Sequence, residues 1–153
     1  ADAIPAEIVI GREEPHQGWM ATGHGEKAEA ACISFDRLAS DRVAYDTVIL
    51  PLQPGEDAEL TVERLAVTED GQPVPVGDVC ALKISGPQGT DLYINDLRQA
   101  AIGPANGVMK RTGSLETDAR AAIVRLAPDG SVRSASAVGA TVLRLDGEEL
   151  SSE

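Results

Sequence analysis

The residues that could do chemistry in this chain are few enough to take one at a time. His16 and His24 are its only histidines. They lie in a stretch, 11–27, that also holds Glu13, Glu14, Glu26 and the sole tryptophan, Trp19. A histidine among carboxylates can ligate a metal or pass a proton. Here the spacing matches neither an HxH nor an HExxH arrangement, so nothing fixes a ligand geometry. Solvated or locally bonded imidazoles are the expectation, with no metal.

Trp19 has two readings. Its indole face could stack on the apolar face of a pyranose, or it could anchor its glycine-rich stretch through apolar contact and an N–H hydrogen bond. Sugar platforms usually assemble several rings, whereas Trp19, Phe35, Tyr45 and Tyr93 are this chain's whole aromatic inventory. That scarcity favours the anchor.

The remaining nucleophiles and acids lack company. A catalytic tyrosine needs a neighbour that lowers its pKa. Asp46 adjoins Tyr45, and Asp91 and Asp96 flank Tyr93; each would disfavour the phenolate if close. Serines are plentiful, but no GxSxG elbow is present, and neither is a GxxxxGK[ST] or strand–GxGxxG–helix phosphate cradle. Carboxylates form no recognisable glycosidase pair. Cys32 and Cys80 each lie in an apolar run, where thiols behave as small buried hydrophobes, so unbridged cysteines are expected. No complete catalytic set and no cofactor site is legible.

The elements that must position these residues read as strands. Apolar or alternating runs occupy 6–10, 29–35, 43–52, 59–67, 79–84, 91–95, 108–111, 119–126, 131–138 and 141–145. Turn chemistry separates them: Asp70-Gly71, Asp129-Gly130, Asp146-Gly147 and Asn106-Gly107 suit tight hairpins, because both residue types tolerate positive φ. One helical turn over 96–102 is the most helix expected. Such spacing predicts an all-β, antiparallel β-sandwich occupying 1–153 as a single domain. The stretch 11–27 is the longest without strand character.

Composition narrows the partners. Thirteen Lys and Arg against 25 Asp and Glu give a net charge of −12. A field of that sign repels phosphate backbones and anionic lipid, so neither nucleic acid nor a membrane is an expected partner. It equally disfavours gripping an anionic polysaccharide unaided. No apolar run approaches the ~18 residues of a spanning helix. Aromatics at 3% leave Val, Ile, Leu and Ala to build the core. The chain opens at Ala1 without a leader signature, so a processed chain or a fragment of a larger protein is expected.

Four stretches taken in order carry a further signal: Gly18-Trp19-Met20-Ala21-Thr22-Gly23-His24-Gly25; Asp46-Thr47-Val48-Ile49-Leu50-Pro51-Leu52; Thr117-Asp118-Ala119-Arg120-Ala121-Ala122-Ile123-Val124-Arg125-Leu126, with Asp129-Gly130 behind it; and Leu143-Arg144-Leu145-Asp146-Gly147. Their order and spacing resemble the C-terminal β-region of heparinase II/III-like polysaccharide lyases, with its GW turn, T-x-L-x-P strand, TDAR-A strand and L-x-L-D-G hairpin. Ala21 replaces the family's serine, and His24 stands where an aromatic is common.

The resemblance implies a parent that cleaves uronic-acid-containing glycans by β-elimination. The family's catalytic Tyr, His and Asn lie in an upstream helical toroid and the adjoining β-region. No position here matches those motifs, so no catalytic residue is carried over. The expected role is a non-catalytic accessory sandwich whose partner is the upstream helical domain. Polysaccharide contact would rest on Trp19, His24 or His16, and the compartment would be periplasmic or secreted. Two rivals remain: an independent carbohydrate-binding module, and an immunoglobulin-like interaction domain.

Overall fold

A computed structural model describes residues 5–36, 38, 40, 44–57, 59–98 and 107–151. The chain forms two compact units, Ala1–Arg42 and Val43–Glu153. It is all-β, with no helix among the described residues.

The first unit is built from two antiparallel ribbons. Strand β1 (Ala6–Val9) pairs with β4 (Cys32–Phe35), and β2 (Trp19–Gly23) pairs with β3 (Glu26–Glu29). The stretch 11–27, expected to lack strands, therefore holds all of β2 and the start of β3. Met-Ala-Thr-Gly and Glu-Lys-Ala-Glu show no apolar alternation because nearly every residue of this ribbon is solvent-exposed. Its ladder forms without a buried face to imprint period two on the sequence.

The second unit is a sandwich of two antiparallel sheets. Five strands lie in the order β13 (Val132–Val138), β12 (Ala121–Leu126), β9 (Gly89–Asp96), β8 (Val79–Gly86) and β5 (Thr61–Arg64). Six shorter strands lie in the order β15 (Glu148–Glu149), β14 (Leu143–Leu145), β11 (Leu115–Thr117), β10 (Lys110–Thr112), β6 (Thr68–Glu69) and β7 (Gln72–Pro73). The buried core draws on both sheets: Val79, Ala81, Leu92, Ile94, Ala122, Val124 and Ala135 from the first, Leu115, Leu143 and Leu145 from the second. Ile94 and Val124 are completely buried, each worth roughly 1.5–3 kcal/mol of transfer free energy. Alternation along β9 sends Leu92 and Ile94 inward and leaves Tyr93 and Asn95 partly exposed.

Two of the three Asp-Gly turns take positive φ at both residues, whereas at Asp129-Gly130 only the glycine does, with φ of 85°. Asp70-Gly71 joins β6 to β7 with φ of 48° and 77°, and Asp146-Gly147 joins β14 to β15 with 50° and 83°. Two consecutive positive φ values match the twist of the paired strands.

One expected strand is absent. Residues 44–52 carry no strand, although their apolar pattern predicts one; residue 43 lies outside the described residues. The segment is held through a side chain, Asp46, which accepts a hydrogen bond from Arg64, instead of through a backbone ladder. Pro51 and Pro54 remove two of the donors that a longer ladder would need. The helical turn expected over 96–102 and the Asn106-Gly107 turn depend on 99–106, which lie outside the described residues.

Candidate functional site

The three residues with a sequence case for ligand contact lie in the first unit, where backbone pairing organises two of them. Gly11 N–H donates to Gly18 O at 2.9 Å, and Arg12 and Gln17 exchange backbone bonds of 2.9 and 3.0 Å, leaving 13–16 as a closed tip. Gln17 Nε2 donates to Ser34 Oγ at 2.6 Å and contacts Cys32 Sγ at 3.4 Å, tying this loop to β4. Gly18 is required here: its φ is +77°, and a Cβ would sit 2.7 Å from Val9 O. The glycine of the GW pair thus lets the chain pass close to β1 as it enters β2.

Trp19 follows at the start of β2 and is half-buried. Its indole N–H donates to Arg12 O at 2.9 Å. His16 stacks on it with ring centroids 5.8 Å apart and planes 8° from parallel. Lys27 stands diagonally across the β2–β3 ribbon and places Nζ 3.8 Å from the centre of the indole ring, within cation–π range. The same ammonium bonds both Glu13 oxygens, at 3.0 and 3.3 Å, and His16 Nδ1 lies 3.4 Å from Glu13. The Lys27 hydrogen bond, with help from the charges of Lys27 and His16, holds the exposed Glu13 carboxyl below its ordinary value.

Trp19 and His16 are therefore brought together, and the indole already has an ammonium over its ring. His24 is not part of this cluster; it sits exposed in the β2–β3 turn. Among the described residues no group of three or more His, Cys, Asp or Glu is arranged to hold a metal. The arrangement suits an anchor: the indole ties Arg12, His16 and Lys27 to one ribbon. Trp19→Ala is accordingly expected to lower the urea unfolding midpoint, at a cost of about 2–3 kcal/mol for a half-buried indole that also loses a hydrogen bond. A variant with unchanged midpoint would contradict the anchor role.

The remaining candidate nucleophiles, Cys32 in the first unit and Cys80, Tyr93 and Tyr45 in the second, are poorly placed for chemistry. Cys32 and Cys80 are both free thiols; Cys80 is buried and Cys32 only half-buried. Burial, then the hydrogen bond to and charge of Asp46, push the Cys80 thiol up to about 12, which keeps it protonated and unreactive. Tyr93 is moved the same way, chiefly by burial and also by Cys80 and Asp46, against the opposing hydrogen bond of Asn95. A tyrosine poised as a general base requires the opposite shift. Tyr45 stands about half-exposed.

Two polar groups to which the sequence assigned no role are each held by several partners. The first is Asp118, buried between β11 and β12. Its Oδ1 accepts the Thr141 and Val142 backbone N–H groups, each at 2.8 Å, and its Oδ2 accepts the Thr141 hydroxyl. Thr117 beside it donates its hydroxyl to Val142 O at 2.8 Å and accepts Ala119 N–H at 3.0 Å. Burial alone would raise the Asp118 pKa, but its hydrogen bonds from Thr141 and Val142 outweigh that and hold it below the ordinary value.

The second is an ion network crossing the sandwich. Lys110 of β10 and Asp96 of β9 are both buried, with Nζ 3.4 Å from Asp96 Oδ2 and 3.1 Å from Val108 O. Arg98 donates Nε to Asp96 Oδ1 at 2.9 Å and a terminal nitrogen to Oδ2 at 2.8 Å, then reaches Glu69 at 3.1 Å. These contacts join strands of both sheets.

No helix among the described residues is long and apolar enough to cross a membrane. Comparison with protein-family models, curated proteins and solved structures finds no match for this chain.

Proposed function

We propose that this chain is the non-catalytic accessory β-sandwich of a heparinase II/III-like polysaccharide lyase, working as a scaffold beside an upstream helical catalytic domain. The observation that carries this reading is where the family-like stretches fall. Gly18-Trp19 forms the close crossing and indole anchor of the first unit. Thr117-Asp118 clasps the segment entering β14. Asp146-Gly147 supplies a hairpin turn. Asp46, at the head of the remaining stretch, holds Arg64. Residues whose pattern resembles a lyase family thus make joints, while Cys80 and Tyr93 are held protonated and His16, Trp19 and Glu13 are engaged with one another.

The carbohydrate-binding alternative would rest on Trp19 as a platform. Lys27 already occupies that ring and His16 stacks beside it, which favours the scaffold. The test is the reading frame that encodes the chain. A preceding helical region bearing a Tyr, His and Asn set is the result expected; a frame that encodes no such region would remove the lyase assignment.

A further inference from the structure

The sandwich has an open cleft of about 280 Å³ where β8 turns into β9. Leu60, Ile84 and Leu126 give it an apolar floor, the hairpin residues 86–89 form one wall, and Arg125, Arg133 and Asp91 are its charged members. None of these residues belongs to the joints described above.

The register of β12 and β13 explains why two guanidinium groups meet here. Arg125 pairs with Ser134, but the next pair is Leu126 with Val132, so Arg133 is an extra residue without a ladder partner. Such a bulge re-aims the side chain it carries. Arg133 donates to Gln88 O at 3.2 Å, which holds it across the hairpin turn. Arg125 Nε stands 3.8 Å from Asp91 Oδ2, beyond hydrogen-bond length, so that contact leaves its fork of donors available.

We propose that this cleft binds a small monocarboxylate whose carboxyl group is carried on an apolar-faced ring. A guanidinium fork matches a carboxylate in both shape and charge. The Leu60, Ile84 and Leu126 floor offers the complementary surface for a ring face. With a liquid water occupying ~30 Å³, the volume suits a ligand on the order of ten heavy atoms. A monoanion is favoured over phosphate, because Asp91 lines the same cleft and a chain of net charge −12 repels each further negative charge. Binding here goes beyond the scaffold role and does not depend on it.

The test is titration of the ¹⁵N-labelled chain with cyclohexanecarboxylate, with cyclohexanemethanol and inorganic phosphate as comparison ligands. Saturable shifts of the Gly86, Gln88 and Gly89 amides are expected with the carboxylate, and weaker or no shifts with the other two. Arg125→Gln and Arg133→Gln should each weaken binding about tenfold or more, the scale of a lost charge-assisted hydrogen bond. Arg111→Gln, which changes an exposed arginine paired with Glu116 on the other sheet, should leave it unchanged. Both cleft arginines are exposed, so the variants should keep the parent's unfolding midpoint. Absence of a saturable carboxylate shift, equal binding of the alcohol or of phosphate, or insensitivity to Arg133→Gln would overturn the proposal.

Discussion

Asp96→Ala should cost about 3–5 kcal/mol, the scale for removing one partner of a buried ion pair. Against a typical domain stability of about 5–15 kcal/mol, that leaves the sandwich near its limit. The loss would strand the ammonium of Lys110, fully buried with Val108 O as a remaining acceptor at 3.1 Å. Lys110→Met should be markedly milder, below about 2 kcal/mol. Asp96 would keep two side-chain bonds from Arg98, and the Arg98 backbone N–H at 3.1 Å, while the thioether fills the vacated space. Asp96 and Glu69 also hold the Arg98 guanidinium firmly protonated, so this compensation persists across the working pH range. Urea midpoints of the two variants check the order; a Lys110→Met variant at least as destabilised as Asp96→Ala would contradict the network described here.

Asp118→Ala is expected to cost about 3 kcal/mol, since two backbone N–H groups and a hydroxyl lose a charged acceptor together. The acid dependence has a definite sign. The folded pKa of Asp118 lies below its unfolded value of about 3.9. Its contribution is therefore complete above pH ~4 and is lost as pH falls through the folded value. Asp118→Asn removes the charge and this titration, so the stability gap between parent and variant should be widest near neutrality and narrow on acidification. A gap that stays constant from pH 7 to pH 2 would contradict a depressed native pKa; these pH limits are roughly those bracketing carboxylate titration.

What the sequence made legible follows from what imprints a period on it. Runs at 91–95, 119–126 and 131–138 fall on β9, β12 and β13, because each has one face in the core, and the run at 79–84 falls on β8, whose first four residues are all buried. Extending period two along β9 past Leu92 and Ile94 places Asp96 on that same buried face, so the signal for an interior carboxylate was present. Nothing local points to Lys110 as its partner, since that pairing is made across two sheets. Residues 44–52 show the converse error: an apolar run reports fitness for a strand, not the presence of an edge to pair with. The β2–β3 ribbon left no pattern because it is exposed. For the same reason Lys27 could not be connected to Trp19 before the hairpin register was known. The bulge at Arg133 is equally silent, because a two-against-one pairing is a relation between strands.

The scaffold reading is tested most directly by incubating the chain alone with heparan sulfate, alginate and hyaluronan while following the absorbance of the unsaturated product of β-elimination. The expected result is no rise above the blank with any of the three, because Tyr93 and Cys80 are held protonated and His16 stacks on Trp19 beside Glu13. A rise above the blank that disappears in His16→Ala, His24→Ala, Tyr45→Phe or Tyr93→Phe would contradict it.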